Sequence, residues 1–173
     1  MDKKTTALAF VILLLFFLQT ISLLHYHSLT NDEPAHTTSG LLYWQTGKFA
    51  GGVSNPPLLQ LSFGLPYALS LADYSLYSNA PPISGRYVNL LFSFFLLITL
   101  VSFAYQRYGP QGALLASFLY VTSPSLIAHS TITTTDIGVT LFSLCTFFAM
   151  SWWQKQTSPW AIVLPATFMA LAM

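Results

Sequence analysis

Charge is what this chain has least of. Asp, Glu, Lys and Arg make up 6% of its 173 residues, while 54% are hydrophobic. An ordinary soluble domain carries about 25% charged residues. A fold of this length cannot hide so much apolar surface from water, so a polytopic membrane protein is the expected class. Basic runs are missing too, and the net charge is +1. That excludes a phosphate-tracking surface, and with it nucleic acid as a partner. The single cysteine, Cys145, excludes an internal disulfide and reads as a small packing or lipid-facing residue in its apolar run. There is no internal repeat and no low-complexity tract.

What is there is a series of apolar segments. They predict an all-α fold: a polytopic transmembrane helical bundle with an amphipathic juxtamembrane helix in the first outer loop. The chain reads as a single transmembrane domain, 1–173, with spans at about 5–24, 87–105, 112–128 and 136–153. A last segment, 160–173, is shorter than the roughly 20 residues a span needs, so the chain reads as the N-terminal part of a longer protein. No small-x-small cleavage site follows the first segment; His25-Tyr26-His27 does, which favours a retained span over a signal peptide. Lys3 and Lys4 hold the N-terminus in the cytoplasm.

The outer loop, 25–86, holds two expected interfacial helices, 33–46 and 58–72. Asp32 or Asn31 can cap the first, Pro34 suits its first turn, and Gly47 suits its stop. Tyr43 and Trp44 favour the membrane–water boundary. Turns are expected at Gly51-Gly52, at Asn55-Pro56-Pro57 and through 73–84. Segment 58–72 is short, contains Pro66 and runs into Asp73. If it does not cross, Lys3, Lys4, Arg107 and Lys155 lie inside, and Lys48 and Arg86 outside. If it crosses, the cations divide evenly, so the positive-inside bias favours a segment that does not cross. In that topology Asp32, Glu33, His36, Arg86, His129 and Asp136 all face the outer side.

These six residues carry the candidate chemistry. Asp32 and Glu33 could simply cap a helix and complement its dipole; alternatively, one serves as general base while the other positions it or binds metal. His36 is three residues after Glu33 and can share its face. Two such ligands do not make a metal site. Asp136 could cap the helix that follows, yet a carboxylate beside a membrane segment is costly and tends to be functional. Arg86 could snorkel or hold a phosphate bidentately.

The order of motifs resembles the opening of the polyprenyl-phosphate-sugar glycosyltransferases. These GT-C membrane enzymes include the protein O-mannosyltransferases and the lipid A aminoarabinose transferase. The motifs are Asp32-Glu33, Gly40, Tyr43-Trp44, Thr46-Gly47 and Asn55-Pro56-Pro57-Leu58, then Gly85-Arg86-Tyr87-Val88-Asn89. Tyr108-Gly109-Pro110-Gln111-Gly112-Ala113, Thr122-Ser123-Pro124 and Thr135-Asp136 continue the pattern. The resemblance implies transfer of a sugar from a polyprenyl-phosphate carrier to an acceptor hydroxyl on a protein or glycolipid, at the non-cytoplasmic face and with inversion. It implies a multi-pass protein of the bacterial inner membrane, surrounded by membrane lipids. Asp32 matches the first-loop aspartate taken as general base. Glu33 and Asp136 would orient donor, acceptor or an ion, and Arg86 would stabilise the departing phosphate. His36 and His129 are placed with Arg86 as substrate-binding residues, although His36 has no counterpart in the pattern. Whether a divalent metal ion takes part is left open. The competing readings are a transporter or channel subunit, which would carry its acids midway along spans, and a non-catalytic, truncated membrane scaffold.

Overall fold

A computed structural model describes residues 3–48, 55–74 and 81–173. The turn expected at Gly51-Gly52 and much of the 73–84 loop lie outside the described residues. All regular structure among the described residues is helical. α1 is Lys3–Tyr26, α2 Glu33–Thr46, α3 Pro57–Ala68, α4 Ile83–Thr122, α5 Pro124–Ser130, α6 Asp136–Trp153 and α7 Val163–Leu171, the last preceded by a 3-10 turn, Pro159–Ile162. Ile83–Thr122 and Asp136–Trp153 are long and apolar enough to cross a membrane. The chain is an all-α membrane helical bundle.

The 40 residues of α4 are two arms. Gly109 has φ 69°, a left-handed conformation that costs a glycine little and breaks the helix. Pro110 has no N–H to lose at the start of the second arm. The arms run antiparallel: the Ser93 and Tyr120 hydroxyls, 27 residues apart in sequence, lie at 2.7 Å. The sequence predicts one continuous span over 112–128, but the helix ends at Thr122. The reason is Pro124, which cannot extend the helix and pushes Ser123 into extended backbone (φ −75°, ψ 113°). Ser123 then caps the short α5.

α1 lies antiparallel to the first arm. Its Phe17 meets Phe94, and near its end His25 meets Tyr87, with ring centroids 6.0 and 5.9 Å apart. Phe16 packs edge-on against Tyr120 at 5.4 Å. Phe16, Leu24, Leu90, Leu97, Tyr120, Ile137 and Leu141 form the buried core among α1, α4 and α6. Charge is sorted along this bundle. Asp32, Glu33 and Asp136 sit where α1 ends and α2, α4 and α6 begin. Arg107 and Lys155 sit at the other end, where they line one cleft. We call these the acidic and basic ends.

α3 does not run along the bundle. Leu59, near its start, fills the space beside Gly138 at the beginning of α6. Near its finish the Tyr67 hydroxyl accepts from the Gly85 N–H at 3.2 Å, at the beginning of α4. Both ends of the helix therefore touch the acidic end. α2 crosses α3 where Gly40 meets the backbone of Gln60 and Gly64 meets the backbone of Gly40 and Leu41. A Cβ at either glycine would collide with main chain, so small residues set this approach. The face that α2 turns inward is largely polar: Glu33, His36, Thr37 and Ser39 are buried with Gly40 and Leu41. That departs from an amphipathic surface helix, whose buried stripe is apolar.

Candidate functional site

The acidic end is organised by Glu33 and Arg86, both with fully buried side chains. Arg86 Nε donates to Glu33 Oε1 and Nη2 to Oε2, each at 2.7 Å. Nη1 donates to the carbonyls of Leu24 (2.7 Å) and His27 (2.8 Å), and Nη2 also donates to that of Ser28 (2.9 Å). A guanidinium has five N–H donors in a fixed fork, and each has an acceptor here. Glu33 is equally complete. Oε1 also accepts from the Thr133 N–H at 2.8 Å, and Oε2 from the Thr30 N–H at 3.0 Å. A carboxylate offers about four lone-pair sites, and four donors fill them. Burial alone would raise the Glu33 carboxyl; the Arg86 guanidinium and the Thr30 and Thr133 amides outweigh it, and the net shift is downward.

This pair ties the end of α1, the 27–30 turn, the start of α2, the start of α4 and the 131–135 bridge into one knot. It also decides what the pair can do. The sequence suggests Glu33 as a catalytic carboxylate and Arg86 as a phosphate ligand. In this geometry neither has a lone pair or donor left for a substrate. Their reach is structural: they fix where Asp32 and Asp136 stand.

Asp32 precedes Glu33 and points the other way. It occupies the cap position of α2 with φ −91° and ψ −21°, and its side chain makes no capping bond, so the expected cap is not formed. The carboxylate is exposed. It is thus an exposed carboxylate beside a buried anchor. Asp136 is also exposed, in the first turn of α6. Its Oδ2 accepts from the Thr134 hydroxyl at 2.9 Å and lies 2.9 Å from His129 Nδ1. Side-chain exposures of 42% for His129 and 62% for Asp136 leave both open to a ligand.

His36 is buried one turn into α2. Burial pushes its pKa down; the charges of Asp32, Asp136 and Glu33 act against that shift. The Thr133 N–H on Glu33 Oε1 at 2.8 Å brings the start of α2, next to Asp32, and the bridge leading into Asp136 to the same end. His36 is 7% exposed, so it stands behind the carboxylates and not at the surface with them.

Sequence reasoning missed the residues that pin the 131–135 bridge. Asn89 Nδ2 donates to the carbonyls of His129 (2.6 Å) and Ile132 (2.7 Å), which orients the chain leading into Asp136. His27 Nδ1 lies 3.1 Å from the Thr131 hydroxyl, closing the same bridge onto the end of α1. The signal for Asn89 was its place one helical turn after Arg86, on the same buried face. Among the described residues, no group of three His, Cys, Asp or Glu side chains is arranged to hold a metal ion.

The fold is that of a membrane helical bundle with two exposed carboxylates, Asp32 and Asp136, at one end. The chain is a member of the dolichyl-phosphate-mannose-protein mannosyltransferase family, whose family model matches residues 7–173. Membership makes it a membrane glycosyltransferase that draws its sugar from a polyprenyl-phosphate carrier. No curated protein and no solved structure matches the chain.

Proposed function

We propose that this protein transfers a hexose or pentose from a polyprenyl-phosphate carrier to an acceptor hydroxyl of a protein or glycolipid. The reaction occurs at the acidic end, on the non-cytoplasmic face of a bacterial inner membrane, with the N-terminus in the cytoplasm. Asp32 is the general base. Its carboxylate takes the proton of the acceptor hydroxyl while that oxygen bonds to the anomeric carbon. The bond from that carbon to the phosphate oxygen breaks, its electron pair leaves with the polyprenyl phosphate, and configuration inverts. A phosphate leaving group needs little protonation, so one base suffices.

The observation that carries this reading is the contrast between the adjacent acids. Glu33 is saturated by Arg86 and two amides, while Asp32 is exposed and unbonded on the same first turn. Asp136 and His129 form the facing wall and orient the donor or acceptor. His36 tunes the pair from behind. Arg86 acts as a positioning residue: with its donors all engaged, the departing phosphate has to be met by other groups.

The test is sugar transfer from polyprenyl-phosphate donors by the full-length protein carrying Asp32→Asn. General-base removal costs about 10²–10⁴ in rate. The unfolding temperature should stay unchanged, because Asp32 is exposed and makes no cap bond. Wild-type turnover in Asp32→Asn would overturn the assignment of Asp32 as the base, and no transfer by the wild type would favour a non-catalytic scaffold.

A further inference from the structure

The basic end carries a feature that sugar transfer does not use. Arg107 and Lys155 line one cleft of about 190 Å³, with Gln106 and Ser151 as hydrogen-bonding neighbours and Phe148 and Trp152 as apolar walls. Among the described residues neither cation forms an ion pair. Arg107 rests over the Phe103 ring at 5.5 Å, which holds its charge at the cleft mouth. Asp32, Glu33 and Asp136 are all at the opposite end. So is Asp73, whose neighbour Tyr74 packs at a tilt against Tyr67 beside Gly85. No described acid competes for these cations.

The cleft continues into a second space along the same seam. Phe148 and Trp152 are shared walls, and beyond them a slot of about 410 Å³ runs past Ile98 and Cys145 to Leu164 and Phe168. Ligand sites typically enclose about 300–1,000 Å³. α4 and α6 both start at the acidic end, so Ile98 and Cys145 lie deeper in the bundle than Arg107 and Lys155. The seam is therefore amphipathic along its length: two free cations and two hydrogen-bonding groups at the water boundary, with an apolar slot directly beneath them.

We propose that this seam of α4, α6 and α7 binds an anionic glycerophospholipid, its phosphate against Arg107 and Lys155 and one acyl chain in the Ile98–Cys145–Phe168 slot. Charge complementarity and the order of polar mouth and apolar slot commit it to a lipid of the leaflet at the basic end. A zwitterionic lipid brings its own cation to the same place and loses the advantage. A juxtamembrane Lys or Arg is worth about fivefold in binding to anionic lipid.

The test is native mass spectrometry of the full-length protein offered equal phosphatidylglycerol and phosphatidylcholine. The wild type should retain phosphatidylglycerol over phosphatidylcholine by about twenty-five-fold, from two such cations. Arg107→Gln/Lys155→Gln should lose that preference, and Lys48→Gln should keep it. Both replaced side chains are exposed, so folding is preserved. Cys145→Phe fills the slot without touching the cations; it should reduce retention of long-chain phosphatidylglycerol and spare the dihexanoyl form. Equal retention of the two lipids by the wild type, or an unchanged preference in the double variant, would overturn the proposal. So would long-chain retention unaffected by Cys145→Phe.

Discussion

Arg86→Lys separates the two roles an arginine could play at this site. Lysine keeps the positive charge but offers three donors from a point, where arginine offers five in a planar fork. At least two of the five bonds that Arg86 makes to Glu33, Leu24, His27 and Ser28 are lost. Hydrogen bonds to charged groups are worth about 1.5–3 kcal/mol each, so Arg86→Lys should cost about 3 kcal/mol or more. Breaking a buried pair outright by Glu33→Ala or Arg86→Ala should cost about 3–5 kcal/mol, since the surviving charge stays buried. That corresponds to a fall in unfolding temperature on the order of 10 °C. The double variant should lose well under the sum of the single losses, because the partners share their bonds. Acid should reproduce part of the effect. The folded-state pKa of Glu33 lies below its ordinary 4.5, so its contribution is complete above about pH 4.5 and lost as pH falls through the folded value. Thermal unfolding in detergent reads all of these. An Arg86→Lys protein that unfolds with wild-type stability yet has lost sugar transfer would refute the clamp and return Arg86 to the donor phosphate.

Other positions test neighbouring parts of the structure. Gly40→Ala puts a methyl group into the Gln60 main chain and should cost about 1–3 kcal/mol, whereas Gly138→Ala meets only the movable Leu59 side chain and should cost less; paired unfolding curves would expose the error if the order reversed. His36 is held neutral by burial, with its folded pKa below the ordinary 6.5. The unfolded chain then binds the proton more readily, so stability should fall as pH drops below about 6.5, and His36→Asn should abolish that limb of the profile.

The helices were legible because apolar runs and Pro or Gly punctuation are local signals. The Gly109-Pro110 break and the Gly47 stop, with φ 69° at each glycine, sit where the sequence put its turns. Ser123-Pro124 was equally visible near the end of a span, but the apolar run continues past it to Ala128, so the sequence carries the span a few residues beyond the point where the helix stops. The roles of the adjacent acids were not legible. Asp32 and Glu33 look alike in sequence, and only the turn of α2 decides that one faces Arg86, 53 residues away, and the other faces water. The Thr30 and Thr133 contacts come from backbone amides, which carry no side-chain signature. Arg86 at the mouth of an apolar segment pointed to a phosphate; burial under α1 gave it five internal acceptors instead.

The most direct measurement of the central claim is thiol labelling in the full-length protein with Cys145→Ser. Asp32→Cys and Asp136→Cys are probed separately with a membrane-impermeant maleimide from the outer side of intact cells. Both positions are exposed at the acidic end, so both should label from outside without permeabilisation. Labelling of only one, or of both only after the membrane is opened, would contradict a shared non-cytoplasmic site.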